Sequence, residues 1–188
     1  MATKPAATAA AAKTDATILL TRDHTEVHKL FKQYEKLADA RAAASDRQAL
    51  AEEICMKLTI HATSEEEIFY PAAREAGIES DLLDEAEVEH ASAKDLIAQI
   101  RAMTPDEDLY DAKVKVLGEY IDHHVKEEEG EMFSKARKAD IDSASLGEEL
   151  AIRKAELKEE LGILDDDDSA PDEAVTSQHK PKGSSARK

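Results

Sequence analysis

Two stretches of this 188-residue chain repeat one another: HATSEEEIFYPAAREA begins at His61 and HVKEEEGEMFSKARKA begins at His124. Aligned by these histidines, at an offset of 63 residues (124 minus 61), Glu65 meets Glu128, Glu66 meets Glu129, Ala73 meets Ala136, Arg74 meets Arg137 and Ala76 meets Ala139. Upstream of each block stands an acid and histidine pair, Asp23-His24 and Glu89-His90, followed in register by Leu30-Phe31 and Leu96-Ile97. The chain therefore reads as two copies of one helix pair, each contributing two His and one Glu to a shared site.

The apolar periodicity is helical, with no alternating strand segment and few Gly or Pro residues to interrupt it. A first helix over roughly 16–40 carries Leu20, His24, Val27, Phe31 and Tyr34 on one stripe. A second, over 46–76, aligns Ile54, Leu58, His61, Glu65, Ile68 and Ala72, and Gly77 is placed to close it. Ser80 and Asp81 are capping candidates for a third helix reaching Met103, with Leu83, Ala86, His90, Ala93, Ile97 and Ile100 inward. Thr104-Pro105-Asp106 marks a turn and the start of a fourth, over 106–138, with Val114, Leu117, Ile121, His124 and Glu128 on one side. The fold expected is all-α, an up-down-up-down antiparallel four-helix bundle over 15–140. A fifth amphipathic stretch, within 141–164, spaces Leu146, Leu150, Leu157, Leu161 and Leu164 for packing across the bundle or in a homo-oligomer.

Composition bounds the rest. The alanine-rich residues 1–14 and the polar residues 165–188 cannot bury a core and are expected to be disordered tails. No leucine-rich signal core or bilayer-length apolar segment is present, so a soluble cytoplasmic protein with no membrane partner is expected. The net charge is −17, and it lies on residues 15–164, because the +2 of the first tail cancels the −2 of the last. So acidic a unit repels nucleic acid. The single cysteine, Cys55, cannot make an internal disulfide and falls off its helix stripe, as a partly buried small residue.

The stripes bury chemistry. An unpartnered buried carboxylate costs several kcal/mol, roughly, and no Lys or Arg shares the stripes of Glu65 and Glu128. A divalent metal supplies the missing charge: both Glu can bridge two ions, with His24 and His61 on one and His90 and His124 on the other. Four imidazoles and two carboxylates suit iron better than calcium or magnesium, with zinc and manganese as alternatives. Two nitrogens and two bridging oxygens leave each ion an open position for solvent or a small molecule. One histidine on an apolar face is more often core than ligand, and it is the duplication that turns the balance. His28 and His123 lack that support, since they align with Lys94 and Ile60; His28, one turn from His24, is kept as a weak candidate. His179 lies in the tail. Tyr120, one turn before His124, is expected to pack in the core, with a hydrogen bond near the site or ligation as the lesser option.

DH at 23–24, HATSEEEIFYP, EH at 89–90 and HHVKEEEGEMF together resemble the hemerythrin HHE cation-binding family over residues 17–138. The resemblance implies an oxo- or hydroxo-bridged non-haem di-iron centre (two Fe ions) in a four-helix bundle, bridged by Glu65 and Glu128, with His24, His61, His90 and His124 as further ligands. Oxygen-carrying hemerythrins have a fifth histidine one turn from another on the third helix. Here those positions are Ala86 and Lys94, so reversible oxygen storage is not expected, and Glu87 or solvent would take the place. The four-histidine form is similar to proteins that bind or process O2, NO or peroxide (H2O2) under oxidative or nitrosative stress. Catalase-like peroxide disproportionation, sensing or storage of oxygen or iron, and repair of iron-sulfur centres are all readings that this resemblance implies.

Overall fold

The computed structural model describes residues 15–139 and 141–162; the expected tails, His179 and Leu164 lie outside the described residues. Helix α1 (Ala16–Asp39) starts where the Asp15 carboxylate accepts from the Thr17 and Ile18 backbone N–H groups. Helix α2 (Ala44–Ser64) passes through a π-helical turn (Glu65–Phe69) straight into α3 (Tyr70–Glu75). Helix α4 (Ser80–Arg101) follows, then α5 (Tyr110–Glu127), a second π turn (Glu128–Met132), α6 (Phe133–Lys138) and α7 (Ser143–Glu160). The all-α expectation is met. The long segments pack in a ring, α1 on α2, α2 on α4, α4 on α5 and α5 on α1, and α7 lies across α1, α2 and the first π turn. At the α1/α5 contact the helices come close enough that a Cβ on Gly118 would stand 3.1 Å from the Phe31 ring. No described helix is long and apolar enough to cross a membrane.

Two apolar clusters fill the ring, and the polar stripe residues lie between them. One contains Val27, Phe31, Ile54, Leu58, Ile97 and Leu117; the other contains Leu20, Phe69, Tyr70, Leu83, Met132 and Phe133. Burial of each such large side chain stabilises the fold by about 1.5–3 kcal/mol. The second cluster also takes Leu146 and Leu150 from α7, so this helix packs on its own bundle, while Leu161 is exposed.

Several sequence expectations are corrected. Each π turn spans one residue more than an α turn, as Tyr70 N–H donates to the Glu65 carbonyl and Phe133 N–H to the Glu128 carbonyl. The inward stripe is therefore displaced by one: Phe69 and Ala73 are buried where Ile68 and Ala72 were expected, and the latter are only partly buried. The fourth long helix begins at Tyr110 rather than at 106, because Glu107 ties itself back to Thr104 N–H while Arg47 grips the Pro105 carbonyl and Asp111. Leu109, at φ 74°, carries the chain into α5. Neither Ser80 nor Asp81 caps α4, whose N-cap is Glu79 with no side-chain bond. Cys55 is fully buried in the first cluster, and burial pushes its thiol up to about 12. Gly77 closes α3 as expected: at φ 78° it and Ile78 donate to the Arg74 and Ala73 carbonyls.

Candidate metal centre

His24, His61, Glu65, His90, His124 and Glu128 converge on the level between the two apolar clusters, all buried. The Nε2 atoms of His24 and His61 stand 3.0 Å apart, and those of His90 and His124 stand 3.1 Å apart. Glu65 Oε2 lies 3.1 Å from His61 Nε2 and 3.5 Å from His90 Nε2; Glu128 Oε2 lies 3.3 Å from His24 Nε2 and 3.4 Å from His124 Nε2. Each carboxylate thus faces one imidazole from each pair, which is the placement a bridging ligand needs.

The other ring nitrogens fix the tautomers. His61 Nδ1–H donates to Asp23, His90 to Glu66, His124 to Glu89 and His24 to Glu129, at 3.0, 3.0, 2.8 and 2.9 Å. The four bonds run round the ring, α1 to α2, α2's π turn to α4, α4 to α5, and the second π turn back to α1. A carboxylate can only accept, so each neutral imidazole turns an Nε2 lone pair inward and gains basicity there.

Inward-facing lone pairs leave the centre short of positive charge. Glu65 Oε1 and Oε2 and Glu128 Oε2 are buried without a hydrogen-bond partner, although imidazole nitrogens surround them. Burial, with Glu128 facing it, pushes the Glu65 carboxyl well above the carboxylate range. Burial also acts to raise Glu128, but His124 and His24 outweigh it and hold that carboxyl at about 2. Without metal the two carboxyls are therefore inequivalent, and Glu65 is the one that favours its protonated form. Burial lowers His61 to about 4 and, with His124 beside it, His90 to about 4, so both favour the neutral form that ligates. His124 is raised, because Glu128 and Glu89 outweigh its burial. A divalent cation fits this donor set: His24, His61, Glu65 and Glu128 have ligand atoms within 4.8 Å of one another, as do Glu65, His90 and His124.

The family model of the Hemerythrin HHE cation binding domain matches residues 15–136. The chain belongs to this family. It is similar in fold to the crystal structure of a hemerythrin HHE cation binding domain-containing protein from Mycobacterium kansasii, with TM-score 0.65, 23% identity, and coverage of 78% of this chain and 89% of that one. It is also 28% identical over 145 residues, 74% of the chain, to a DNA nickase from Nostoc sp.. The match spans 39% of that protein's length. Membership of a cation-binding family agrees with a donor set that lacks a cation's charge.

The weaker candidates fall elsewhere. His28 pairs with Asp122 on the surface at 3.1 Å, Glu87 is exposed and pairs with Arg74, and neither reaches the centre. Tyr120 is 52% exposed, contrary to core packing: at 100° per residue it sits some 40° round α5 from His124, on the solvent side. Three features escaped sequence reading. The orienting role of Asp23, Glu66, Glu89 and Glu129 was signalled by their duplication, but their crosswise partners need the ring. Tyr70 replaces the Phe133 of the other copy, and its hydroxyl donates to Glu128 Oε1 at 2.9 Å and lies 3.3 Å from His90 Nε2. Lys154 of α7, on the same face as Leu150 and Leu157, forms an ion pair with Asp23. Burial would raise Asp23, but the His61 hydrogen bond and Lys154 hold it at about 2.

Proposed function

We propose that His24, His61, His90 and His124, with Glu65 and Glu128 bridging, hold a non-haem di-iron centre in an up-down-up-down bundle, and that this centre binds or processes O2, NO or peroxide in the stressed cytoplasm. The observation that carries the small-ligand part is a cavity of about 20 Å³ beside the histidines, to whose lining neither Glu65 nor Glu128 contributes. All four imidazoles wall it together with Val27, Leu58, Ala93, Ile97 and Ile121, and Asp23 and Lys94 stand at its edge. Its volume suits one water-sized or diatomic molecule, and its wall is mostly apolar.

Iron would supply the redox change and the open coordination position. The chain supplies the rest. Glu65 and Glu128 approach from the π turns and stay out of the cavity lining. Asp23, Glu66, Glu89 and Glu129 hold the imidazoles in the ligating tautomer. The apolar wall keeps bulk water away from a bound ligand. With a net charge of −17 the chain as a whole repels DNA, and the activity in the Nostoc relative's name is not carried over.

Iron-loaded protein tests this reading. About two irons per chain are expected at saturation, with a change in the visible spectrum on adding NO or peroxide. Oxygen evolution from peroxide assigns turnover; a spectral change without it assigns sensing or storage; and iron lost readily to apo iron-sulfur proteins assigns repair. Saturation at one iron per chain would overturn the bridged pair.

A further inference from the structure

The carboxylates that orient the imidazoles are not all charge-compensated alike. Outside Asp23 stands Lys154, and outside Glu66 stands Lys94, whose Nζ lies 2.5 Å from Glu66 Oε2. Glu89 has no lysine or arginine ion pair among the described residues. It meets instead a second carboxylate, Glu127, and the imidazole of His123. His123 Nε2 is 3.5 Å from Glu89 Oε1 and 3.5 Å from Glu127 Oε1, and the three ligand atoms lie within 4.8 Å of one another. Two acids gathered on one imidazole, where Asp23 and Glu66 each have an ammonium, call for a cation.

The geometry points to an outer binding site for a divalent first-row metal ion, held by His123, Glu127 and Glu89, and separate from the buried pair. His123 and Glu127 are one turn apart on α5 and present their ligands from one face, while Glu89 reaches across from α4. Glu89 uses different oxygens for its two tasks: Oε2 accepts from His124 Nδ1 at 2.8 Å, and Oε1 faces His123. Ligand atoms round a tetrahedral ion with bonds of about 2.0–2.1 Å stand about 3.3–3.4 Å apart, close to the 3.5 Å that separates His123 Nε2 from each carboxylate. One imidazole with two carboxylates suits zinc, cobalt or ferrous iron, and solvent completes the shell because the His123 side chain is 62% exposed. A cation there would do for Glu89 what Lys154 does for Asp23. The site does not depend on what the inner pair binds.

Iron-loaded full-length protein dialysed against Co2+ provides the test, with iron and cobalt measured per chain. Wild type is expected to take up one Co2+ beyond its iron, and His123→Ala and Glu127→Gln to lose that cobalt while keeping the wild-type iron content. Both positions are on the surface, so folding is not at stake. Should iron fail to load, cobalt would enter the inner site in all three proteins, and the wild-type excess over His123→Ala would still count the outer ion. Equal cobalt in wild type and both variants overturns the site. So does the absence of cobalt uptake by wild type, which would leave the His123 side chain alone as the partner of the two acids.

Discussion

The two halves of the repeat are alike where a metal would be held and differ around it. Two His, one inward Glu and two orienting carboxylates occur in both halves, at matched positions, and each inward Glu opens a π turn. Differences begin at the next layer. Tyr70 takes the place of Phe133, α7 packs mainly on α1 and α2, and the orienting acids take lysine in two places and His123 in a third. Ligand chemistry tolerates little variation, whereas the surroundings can diverge and make two similar metal positions inequivalent.

The largest effect expected is one that respects the symmetry. His61→Ala and His124→Ala should each reduce bound iron from about two per chain to one or fewer, read by metal analysis after anaerobic reconstitution. A large loss in one variant and none in the other would break the equivalence of the halves. Asp23→Asn and Glu89→Gln keep the ligands but weaken their orientation, and should lower metal affinity about 10- to 100-fold.

Removing the metal should expose a charge difference between the two carboxylates. Glu65 has a raised folded pKa, so folded apoprotein binds this proton more tightly than the unfolded chain does. That contribution is fully present below the unfolded value of 4.5 and is lost as pH rises through the folded value. His61 and His90, held at about 4, act in the opposite sense: their contribution is present above 6.5 and lost as pH falls towards 4. Comparison with Glu65→Gln cancels the histidine part. Apo Glu65→Gln should gain on apo wild type by up to about 1.4 kcal/mol per pH unit as pH rises above 4.5, measured by denaturant melts. A difference that stays constant with pH would show that the Glu65 carboxyl is not raised in the folded apoprotein.

Tyr70 breaks the symmetry inside the core. Tyr70→Phe makes the halves alike, but it strips Glu128 Oε1 of its 2.9 Å hydrogen bond in a buried place. Apoprotein should lose about 1–3 kcal/mol, and the metal-loaded protein less, if a cation then satisfies the same oxygen. Thermal melts of both forms give the comparison, and an equal loss in the two forms would assign Tyr70 a purely structural part.

How far the sequence foretold this arrangement depends on what each feature rests upon. All-α structure was legible because Leu20, Val27 and Phe31, like Ile54 and Leu58, recur at helical spacing. The convergence of four His and two Glu was legible because each is duplicated at a stripe position. The π turns were not, since extrapolating an α-helical period beyond Glu65 selects Ile68 and Ala72, and only the backbone shows the added residue. Crosswise pairing was hidden for a related reason: Asp23 adjoins His24 in sequence but orients His61 on the next helix. Lys154 was the least accessible, because its position among α7 leucines gives no hint of a carboxylate 131 residues away.

The smallest effect concerns the two lysines that flank orienting acids. The Lys94 side chain is 42% exposed and Glu66 30%, so Lys94→Ala should change stability by about 0.2–1 kcal/mol, with screening by salt. The Lys154 side chain is only 12% exposed and its partner Asp23 26%, so Lys154→Ala should cost about 1–2 kcal/mol and respond less to salt. The His61 hydrogen bond, with Lys154 second, holds Asp23 at about 2 against an ordinary 3.8, so their joint contribution is present above 3.8 and fades as pH falls through 2. Urea melts of both variants at low and high salt would order the pairs. If Lys94→Ala proved as costly and as insensitive to salt as Lys154→Ala, cover by α7 would not be what distinguishes the two ion pairs.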